Sequence, residues 1–381
     1  MNKNHFFTSE SVSEGHPDKI CDQISDAILD AMLTDDPKSR VACECYTTTG
    51  LVVVGGEIST NTYVEIPSLV RNVIRDIGYD RTELRFDADS VGIVNVIDHQ
   101  SPDIAMGTND EVNGAGDQGI MFGYAINETK SYMPAALEYS HKLVKRLADI
   151  RKDKTNQLMP YIRPDAKSQV TIEYSPDGEI LRIDTIIIST QHSPDVSQQK
   201  IKDDCIDFVI SHCIPKELVD ENTKYYINPT GRFIIGGPHG DTGLTGRKII
   251  VDSYGGKCPH GGGAFSGKDP TKVDRSATYA ARHLAKNIVA AGVTNECTIQ
   301  LSYAIGMPEP ISIFVDINDK DKSFEIGRYI QKEIDLTPSG IIKRLDLRKP
   351  IYRNTSNYGH FGRDGFSWEE LNLVKQFEQF K

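Results

Sequence analysis

The stretch VACECYTTTGLVVVGGEIS, residues 41–59, indicates the fold class of this chain. Two runs rich in β-branched residues, 41–47 and 51–59, flank a threonine-rich turn at Gly50, which predicts a β-hairpin. A helix is predicted directly afterwards, at residues 64–77, and the glycine that follows it is a suitable C-terminal cap. A strand pair followed by a single helix is typical of an α+β protein.

The same alternation continues along the chain. Further helices are predicted at residues 17–33, 135–150, 196–213, 275–291 and 324–334. Further strands are predicted at residues 91–99, 120–126, 183–191, 249–252, 297–305 and 311–317, with a hairpin turn at 175–178. Similar strings at 98–103 and 191–195 each follow a strand, which suggests repeated units of roughly ninety residues. Taken alone, that match is better explained by coincidence.

Length and charge limit the possible classes of protein. A chain of 381 residues predicts two or three compact units rather than one core. Hydrophobic residues make up 38% and charged residues 25%, which is typical of a folded globular protein. The net charge of −11 argues against a nucleic acid or an anionic membrane as partner. In such an acidic chain, basic residues grouped in glycine-rich loops are therefore stronger evidence for a local site than they would be in a basic protein.

Cysteine usage predicts a reducing compartment. The seven cysteines are scattered, odd in number and without a C-x-x-C pair, which favours free thiols over a disulfide or zinc framework. The N-terminus lacks the apolar core of a signal peptide, and no apolar run approaches the roughly 20 residues of a membrane span. We therefore expect a cytoplasmic protein.

The string GAGDQG at 114–119 matches the bare G-x-G-x-x-G pattern of dinucleotide-binding proteins. That mechanism requires a strand before the glycines and a helix after them. Here a polar segment precedes the glycines and a predicted strand follows. We interpret the string as a tight turn that presents Asp117 to an anion or a metal, although a plain structural turn is the default interpretation of such a string in isolation.

The string GGAFSGKD at 262–269 nearly matches a P-loop, but aspartate replaces the serine or threonine that holds magnesium. No strand is predicted before it, so a Walker-type fold is not favoured. Glycine amides and Lys268 can still surround phosphate oxygens, and Asp269 or Asp274 can lie near a metal.

Two more segments carry charged residues in a glycine-rich run or at the start of a predicted helix. The run GGPHGDTGLTGRK at 236–248 ends in an arginine and a lysine that can bind one anion, as a fork and as a point charge. The string SEGHPDK at 13–19 places His16, Asp18 and Lys19 at the start of a predicted helix, where backbone amides favour anions. A solvated loop and a capping histidine are the alternative interpretations.

Together these residues resemble the methionine adenosyltransferase, or S-adenosylmethionine synthetase, family. The resemblance rests on six motifs: residues 14–19, 114–119, 165–167, 245–248, 261–269 and 358–363. It spans nearly the whole chain and weakens mainly at residues 318–339 and at the extreme C-terminus.

The resemblance implies that the methionine sulfur attacks the ribose 5′ carbon of ATP, forming S-adenosylmethionine, and that the released tripolyphosphate is hydrolysed to phosphate and diphosphate. It implies an α+β fold of three similar sheet-and-helix units in a pseudo-threefold arrangement, with approximate limits at residues 1–105, 112–235 and 236–381 that can be interleaved. It also implies dimers, often paired into tetramers, with shared active sites. Two Mg²⁺ per site and K⁺ are the implied cofactors.

The resemblance also implies roles for individual residues. The implied catalytic residues are His16, Lys167, Arg247 and Lys268. The implied ATP-binding residues are His16, Asp117, Asp165, Lys167, Arg232, Phe233, Asp241, Arg247, Lys248, Ala264 and Lys268. The implied methionine-binding residues are Glu57, Gln100, Asp241 and Lys272. The implied metal ligands are Asp18 and Asp274 for Mg²⁺ and Glu44 for K⁺, and the implied mobile gate is Gln100 to Asp110.

Two other classes of function remain as alternatives. A kinase or NTPase with a degenerate P-loop would produce ADP or AMP instead of S-adenosylmethionine. A non-catalytic nucleotide-binding subunit would not need the four carboxylates Asp18, Asp117, Asp241 and Asp274. The polar, glycine-bearing segment at 100–119 suits either a lid over a site or a disordered linker.

Overall fold

A computed structural model describes residues 3–99, 114–155 and 157–381. The strands are β1 (His5–Val12), β2 (Arg40–Thr48), β3 (Leu51–Ser59), β4 (Gly92–Asp98), β5 (Gly119–Ile126), β6 (Ile162–Tyr174), β7 (Ile180–His192), β8 (Lys224–Ile227), β9 (Gly243–Leu244), β10 (Glu296–Tyr303) and β11 (Ser312–Asp316). The helices are α1 (Pro17–Asp35), α2 (Ile66–Ile77), α3 (Ala135–Lys152), α4 (Gln198–Asp204), α5 (Ser211–Cys213), α6 (Ile249–Asp252), α7 (Val273–Ala290), α8 (Lys320–Glu333), α9 (Pro338–Arg344) and α10 (Val374–Phe377).

The strands form three sheets with the orders β1-β6-β7-β8, β4-β3-β2-β9 and β11-β10-β5. The β2–β3 hairpin is antiparallel, whereas β3 pairs with β4 in parallel. Each sheet combines strands from distant parts of the chain, so the sheets cross the predicted unit limits. Those limits, 1–105, 112–235 and 236–381, stay a prediction. The α+β class is confirmed.

Helix α1 is buried around most of its circumference. Its isoleucines recur every four residues at Ile20, Ile24 and Ile28, and all three are fully buried. Aspartates recur with the same spacing at 18, 22 and 26 and are also buried. An offset of two residues corresponds to about 200° around a helix, so the two stripes lie on nearly opposite sides. The acidic side must therefore find polar partners inside the protein.

Two hydrophobic clusters hold the layers together. The larger one joins α1, α2 and α7 to strands of two sheets, and the smaller one packs α3 and α4 against β6 and β7. Because α1 belongs to the larger cluster, the loops that contact this helix are anchored on a rigid element.

Most predicted elements are confirmed with small shifts of their ends. The helix predicted at 196–213 is confirmed, with a π-helical turn at Cys205–Ile210 between α4 and α5. The strand predicted at 249–252 is wrong, because this β-branched run forms α6, in which the Asp252 amide donates to the Lys248 carbonyl (2.8 Å). Strand β1 was not predicted, since its partner β6 lies far away in sequence. None of the described helices is long and apolar enough to cross a membrane.

Candidate active site

The loop before α1 is held rigidly. Ser13 Oγ donates to the Pro164 carbonyl (2.7 Å) and accepts from the Ala166 amide (2.9 Å). The Glu14 carboxylate pairs with Arg151 at the end of α3 (2.6 Å). A Cβ on Gly15 would lie 2.3 Å from the Pro164 carbonyl oxygen, so only glycine allows this close approach. These contacts fix the backbone that carries His16.

His16 is the N-cap of α1, and its Nδ1 accepts a hydrogen bond from the Asp18 amide (3.2 Å). Burial, together with the positive charges of Lys248 and Lys167, lowers the pKa of His16 to about 3 against the opposing effect of Asp18. The imidazole is therefore neutral at neutral pH. With Nδ1 as acceptor, its proton is on Nε2, which is a hydrogen-bond donor without a full charge.

Asp18 connects the start of α1 to the glycine-rich run 236–248. Its carboxylate accepts from the Leu244 amide (3.0 Å), forms a short ion pair with Lys248, and lies 3.7 Å from Arg247 Nε. Burial works in the opposite direction, but the hydrogen bond from Lys248 holds the pKa of Asp18 below its usual value. Two cations are thus held beside His16.

Asp165 adds a buried carboxyl to the same group. Its Oδ2 accepts from the Gly237 amide (2.8 Å), while Oδ1 has no hydrogen-bond partner among the described residues. Burial raises the pKa of Asp165 to about 6, opposed by Lys167 and Lys248 and supported by Asp241. The Asp165 carboxyl therefore changes charge close to neutral pH. We call His16, Asp18, Asp165, Lys167, Arg247 and Lys248 the His16 cluster.

Aromatic and amide groups border this cluster. The Phe233 amide donates to His192 Nε2 (3.0 Å), and the Phe233 ring lies against Gly236, which also approaches Asp165. Arg232, next in the chain, is exposed.

A second group of predicted residues lines a separate cavity of about 190 Å³, the Glu57 cavity. Its lining residues are Arg40, Ala42, Glu57, Gly116, Asp117, Lys268, Thr271, Lys272, Val273 and Asp274. Lys268 Nζ donates to Asp274 (2.7 Å), and Lys272 forms a short ion pair with the buried Asp269. The cavity thus combines both signs of charge in a small space, which suits a zwitterionic ligand.

Glycines bring the loop 261–269 close to its neighbours. The Gly267 amide donates to Asp26 (2.8 Å), its carbonyl accepts from the Cys43 amide (2.9 Å), and its φ is +80°. A Cβ on Gly263 would lie 2.2 Å from Asp274 Oδ1. The loop therefore sets the position of both Lys268 and Asp274. In the described part of the chain, a turn rather than a strand precedes this loop, as the sequence predicted.

The two groups are distinct within one chain. His16, Lys167 and Arg247 are not among the residues that line the Glu57 cavity. The cavity lies on the face of β2 that carries Ala42, whereas Cys45 on the other face contacts α1 through Ser25. Lys268 was predicted to act with His16, and within one chain its side chain contacts Asp274.

The remaining predicted residues lie around these groups. Glu44 is exposed, two residues from Ala42, so both lie on the same face of β2. Ala264 lies against Gly246, beside the His16 cluster. Asp241 is exposed and donates through its amide to the Gly237 carbonyl (3.1 Å). Gln100 and the predicted gate, Gln100 to Asp110, lie outside the described residues.

The carboxylates of the described residues do not form a complete metal cage in one chain. Among residues 3–99, 114–155 and 157–381, no three histidine, cysteine or acidic side chains are arranged to hold a metal ion. Asp18 belongs to the His16 cluster and Asp274 to the Glu57 cavity.

Comparison with known proteins identifies the family. Models of the N-terminal, central and C-terminal domains of S-adenosylmethionine synthetase match residues 4–102, 112–233 and 235–370. The chain belongs to the S-adenosylmethionine synthetase family. An S-adenosylmethionine synthase of Clostridium tetani is 57% identical over 388 residues, covering 98% of each chain. Those of two Staphylococcus epidermidis strains are 57% identical over 385 residues, covering 97% of this chain and 96% of theirs.

The three matched domains confirm the three-unit fold of this synthetase family. One family motif, residues 358–363, lies inside the protein rather than at either group. His360 is fully buried, and its Nδ1 is 2.7 Å from Tyr279 Oη. The ring of Phe361 stacks on Tyr254. We interpret this motif as part of the core.

Sequence reasoning missed the aspartates behind the loops. Asp22 accepts from the Gly246 amide (2.9 Å), and Asp26 accepts from the Gly267 amide. The signal was present as acidic residues spaced by four along a helix that also carries isoleucines with the same spacing.

Proposed function

We infer that the chain is a methionine adenosyltransferase, which forms S-adenosylmethionine from ATP and L-methionine and then hydrolyses tripolyphosphate to phosphate and diphosphate. Family membership over nearly the whole chain supports the activity. The observation that carries the mechanism is the His16 cluster, in which an acidic protein gathers cations around a neutral histidine.

The His16 cluster suits a departing polyphosphate. A thioether sulfur needs no base to act as a nucleophile, so the barrier lies in alignment and in the charge on the leaving group. Lys167, Arg247 and Lys248 hold the phosphate oxygens. His16 donates from Nε2 to the oxygen of the breaking C5′–O bond, and its low pKa keeps it neutral throughout. This geometry stabilises the transition state without proton transfer.

We propose that the other implied residues seat the substrates. Arg232, Phe233, Asp165 and Ala264 border the nucleotide beside the His16 cluster, and Asp117 borders the adenosine from the Glu57 cavity. In that cavity Glu57 is available for the ammonium group of methionine and Lys272 for its carboxylate. Asp241 and Gln100 complete the methionine-binding residues, and residues 100–110 form the mobile gate.

Metal ions fit the carboxylates of both groups. Mg²⁺ is usually held by one or two carboxylates together with substrate phosphates, rather than by a cage made of protein alone. Asp18 and Asp274 supply such oxygens; Asp18 lies beside Lys248 and Arg247, and Asp274 lies beside Lys268. Two Mg²⁺ would neutralise phosphate charge during departure. We propose Glu44 as the K⁺ ligand.

We propose that two copies of the chain share each active site. The His16 cluster and the Glu57 cavity both carry residues for one reaction, yet they are distinct within one chain. Val96, 58% exposed, lies in register with Gly55 and Glu44 on the cavity face of its sheet, and Val94 is also exposed there. A second copy that covers this apolar face can place its His16 cluster over the cavity, giving a dimer that pairs into tetramers.

We also propose that the enzyme acts in the cytoplasm, without a nucleic-acid or membrane partner. All seven cysteines are free, and six of them are buried, which suits a compartment where thiols stay reduced.

The direct test is to incubate the purified protein with ATP, methionine, Mg²⁺ and K⁺ and to identify the adenosine product by mass spectrometry. S-adenosylmethionine, together with phosphate and diphosphate, is the expected result. Production of ADP or AMP, independent of methionine, would support the kinase alternative and overturn the proposal.

A further inference from the structure

Three buried aspartates on α1 each accept a backbone hydrogen bond from a loop that carries the site's cations. Asp18 accepts from the Leu244 amide, Asp22 from the Gly246 amide (2.9 Å) and Asp26 from the Gly267 amide (2.8 Å). Their spacing of four residues places them on one side of the helix. The side chains of Asp22 and Asp26 are fully buried.

The two glycines whose amides donate to Asp22 and Asp26 directly precede the cationic residues in the sequence. Gly246 is followed by Arg247 and Lys248 of the His16 cluster, and Gly267 is followed by Lys268 of the Glu57 cavity. Both glycines have positive φ, +78° and +80°, so each loop turns sharply at the residue that is anchored. A change at either anchor would therefore alter the direction in which the next side chain leaves the loop.

Asp22 and Asp26 are themselves held in place by buried cations. Lys19 donates to Asp22 Oδ2 (3.0 Å), and Arg275 donates to both oxygens of Asp26 (2.7 and 2.9 Å). Neither carboxylate can rotate away from its loop without losing an ion pair inside the protein.

We propose that Asp22 and Asp26 are positioning residues of the adenosyl transfer, and that α1 sets the spacing between the two cationic loops. Four residues of helix place the two anchors about 6 Å apart along the axis. Asp22 acts through Arg247 and Lys248, and Asp26 acts through Lys268. This inference rests on the proposed function, because it assigns the aspartates to the same reaction.

Two substitutions at Asp22 separate positioning from stability. In Asp22→Asn the amide oxygen still accepts from the Gly246 amide, whereas its NH₂ group faces Lys19, so stability falls while the loop stays anchored. In Asp22→Ala both interactions are lost. We expect Asp22→Ala to lower kcat by at least about tenfold, because small misplacements of positioned groups are costly. Asp22→Asn should keep kcat within a few fold of the unmodified enzyme.

Asp30→Asn is the matched control on the same helix. Asp30 accepts from the amides of Tyr352 and Arg353 (2.9 and 2.8 Å), and not from the cationic loops. We expect this variant to lower Tm without lowering kcat. At Asp26, likewise, the alanine variant should lose kcat and the asparagine variant should keep it within a few fold.

The measurements are Tm, kcat and the affinity for tripolyphosphate by calorimetry. The inference is overturned if Asp22→Ala keeps kcat, or if its asparagine and alanine variants lose kcat equally and in proportion to Tm. Should Asp22→Ala not fold, Asp22→Ser gives the same comparison, since its hydroxyl is too short to reach the Gly246 amide. Absence of S-adenosylmethionine synthesis by the unmodified enzyme would instead refute the proposed function.

Discussion

Replacing Lys19 by methionine leaves two buried carboxylates without the cation between them. Lys19 Nζ donates to Asp22 (3.0 Å) and forms a short ion pair with Asp252, and all three side chains are at most 3% exposed. Burial alone would lower the pKa of Lys19, but the two carboxylates outweigh it and hold that pKa above its usual value. Lys19→Met therefore removes the charge that compensates a buried acidic pair.

The expected magnitude follows from this burial. Removing one partner from a buried ion pair typically costs about 3–5 kcal/mol of unfolding free energy. Burial raises the pKa of Asp252 to about 7, even though Lys19 lowers it. Since the folded pKa exceeds the unfolded value, the cost of the carboxylate is absent at low pH and grows as pH rises through about 7. Without Lys19 this pKa rises further. We therefore expect most of the loss to be present at about pH 8 and a much smaller loss at about pH 5.

Urea unfolding followed by circular dichroism at both pH values measures the difference. Lys145→Met is the matched control, because Lys145 pairs with Asp149 at 2.8 Å on the exposed side of a helix, with about half of each side chain exposed. Such a pair contributes about 0–1 kcal/mol. The reasoning is refuted if Lys19→Met is as stable as the control at pH 8, or if its loss is the same at both pH values.

Three further predictions concern the site. Lys268→Ala should lower kcat with little change in Tm, because this partly exposed lysine acts through charge; equal losses of both would contradict its role. Gly263→Ala should raise the Mg²⁺ concentration needed for half-maximal activity, because the added Cβ would displace Asp274. Gly327→Ala is the control, since its Cβ meets only ordinary contacts. An unchanged Mg²⁺ dependence in Gly263→Ala would contradict the role of Asp274. Asp165→Asn should bind tripolyphosphate more tightly than the unmodified enzyme at about pH 8, and equally below about pH 5. This follows because Asp165, with a pKa of about 6, is ionised only at the higher pH; calorimetry that shows no such convergence would contradict it.

Local patterns predicted much of the fold. The hairpin of β2 and β3 follows from β-branched runs around a turn, and α1 follows from its apolar spacing and its early proline. Interactions between distant segments were not predictable in this way. Strand β1 pairs with β6, and the run 249–252 forms a helix despite its β-branched residues, because tertiary contacts override local preference.

In the candidate site, too, local patterns were predictable and interactions between distant segments were not. Glycine loops that carry cations indicated phosphate chemistry, and the resemblance supplied the individual roles. The roles of Asp22 and Asp26 were not predicted, because their partners, Gly246 and Gly267, lie more than 220 residues further along the chain. The separation of Lys268 from His16 likewise depends on how the sheets are assembled, which composition and spacing do not determine.

Subunit mixing tests most directly whether each active site is shared. His16→Ala disables one group and Lys268→Ala the other, so each variant alone should be nearly inactive. If both are unfolded together and refolded as a mixture, half of the dimers carry one variant of each kind, and one of the two sites in those dimers is intact. Activity should then return to about a quarter of the unmodified level, as expected for a twofold-symmetric dimer. If each active site lies within a single chain, the mixture stays as inactive as its components, and the account is contradicted.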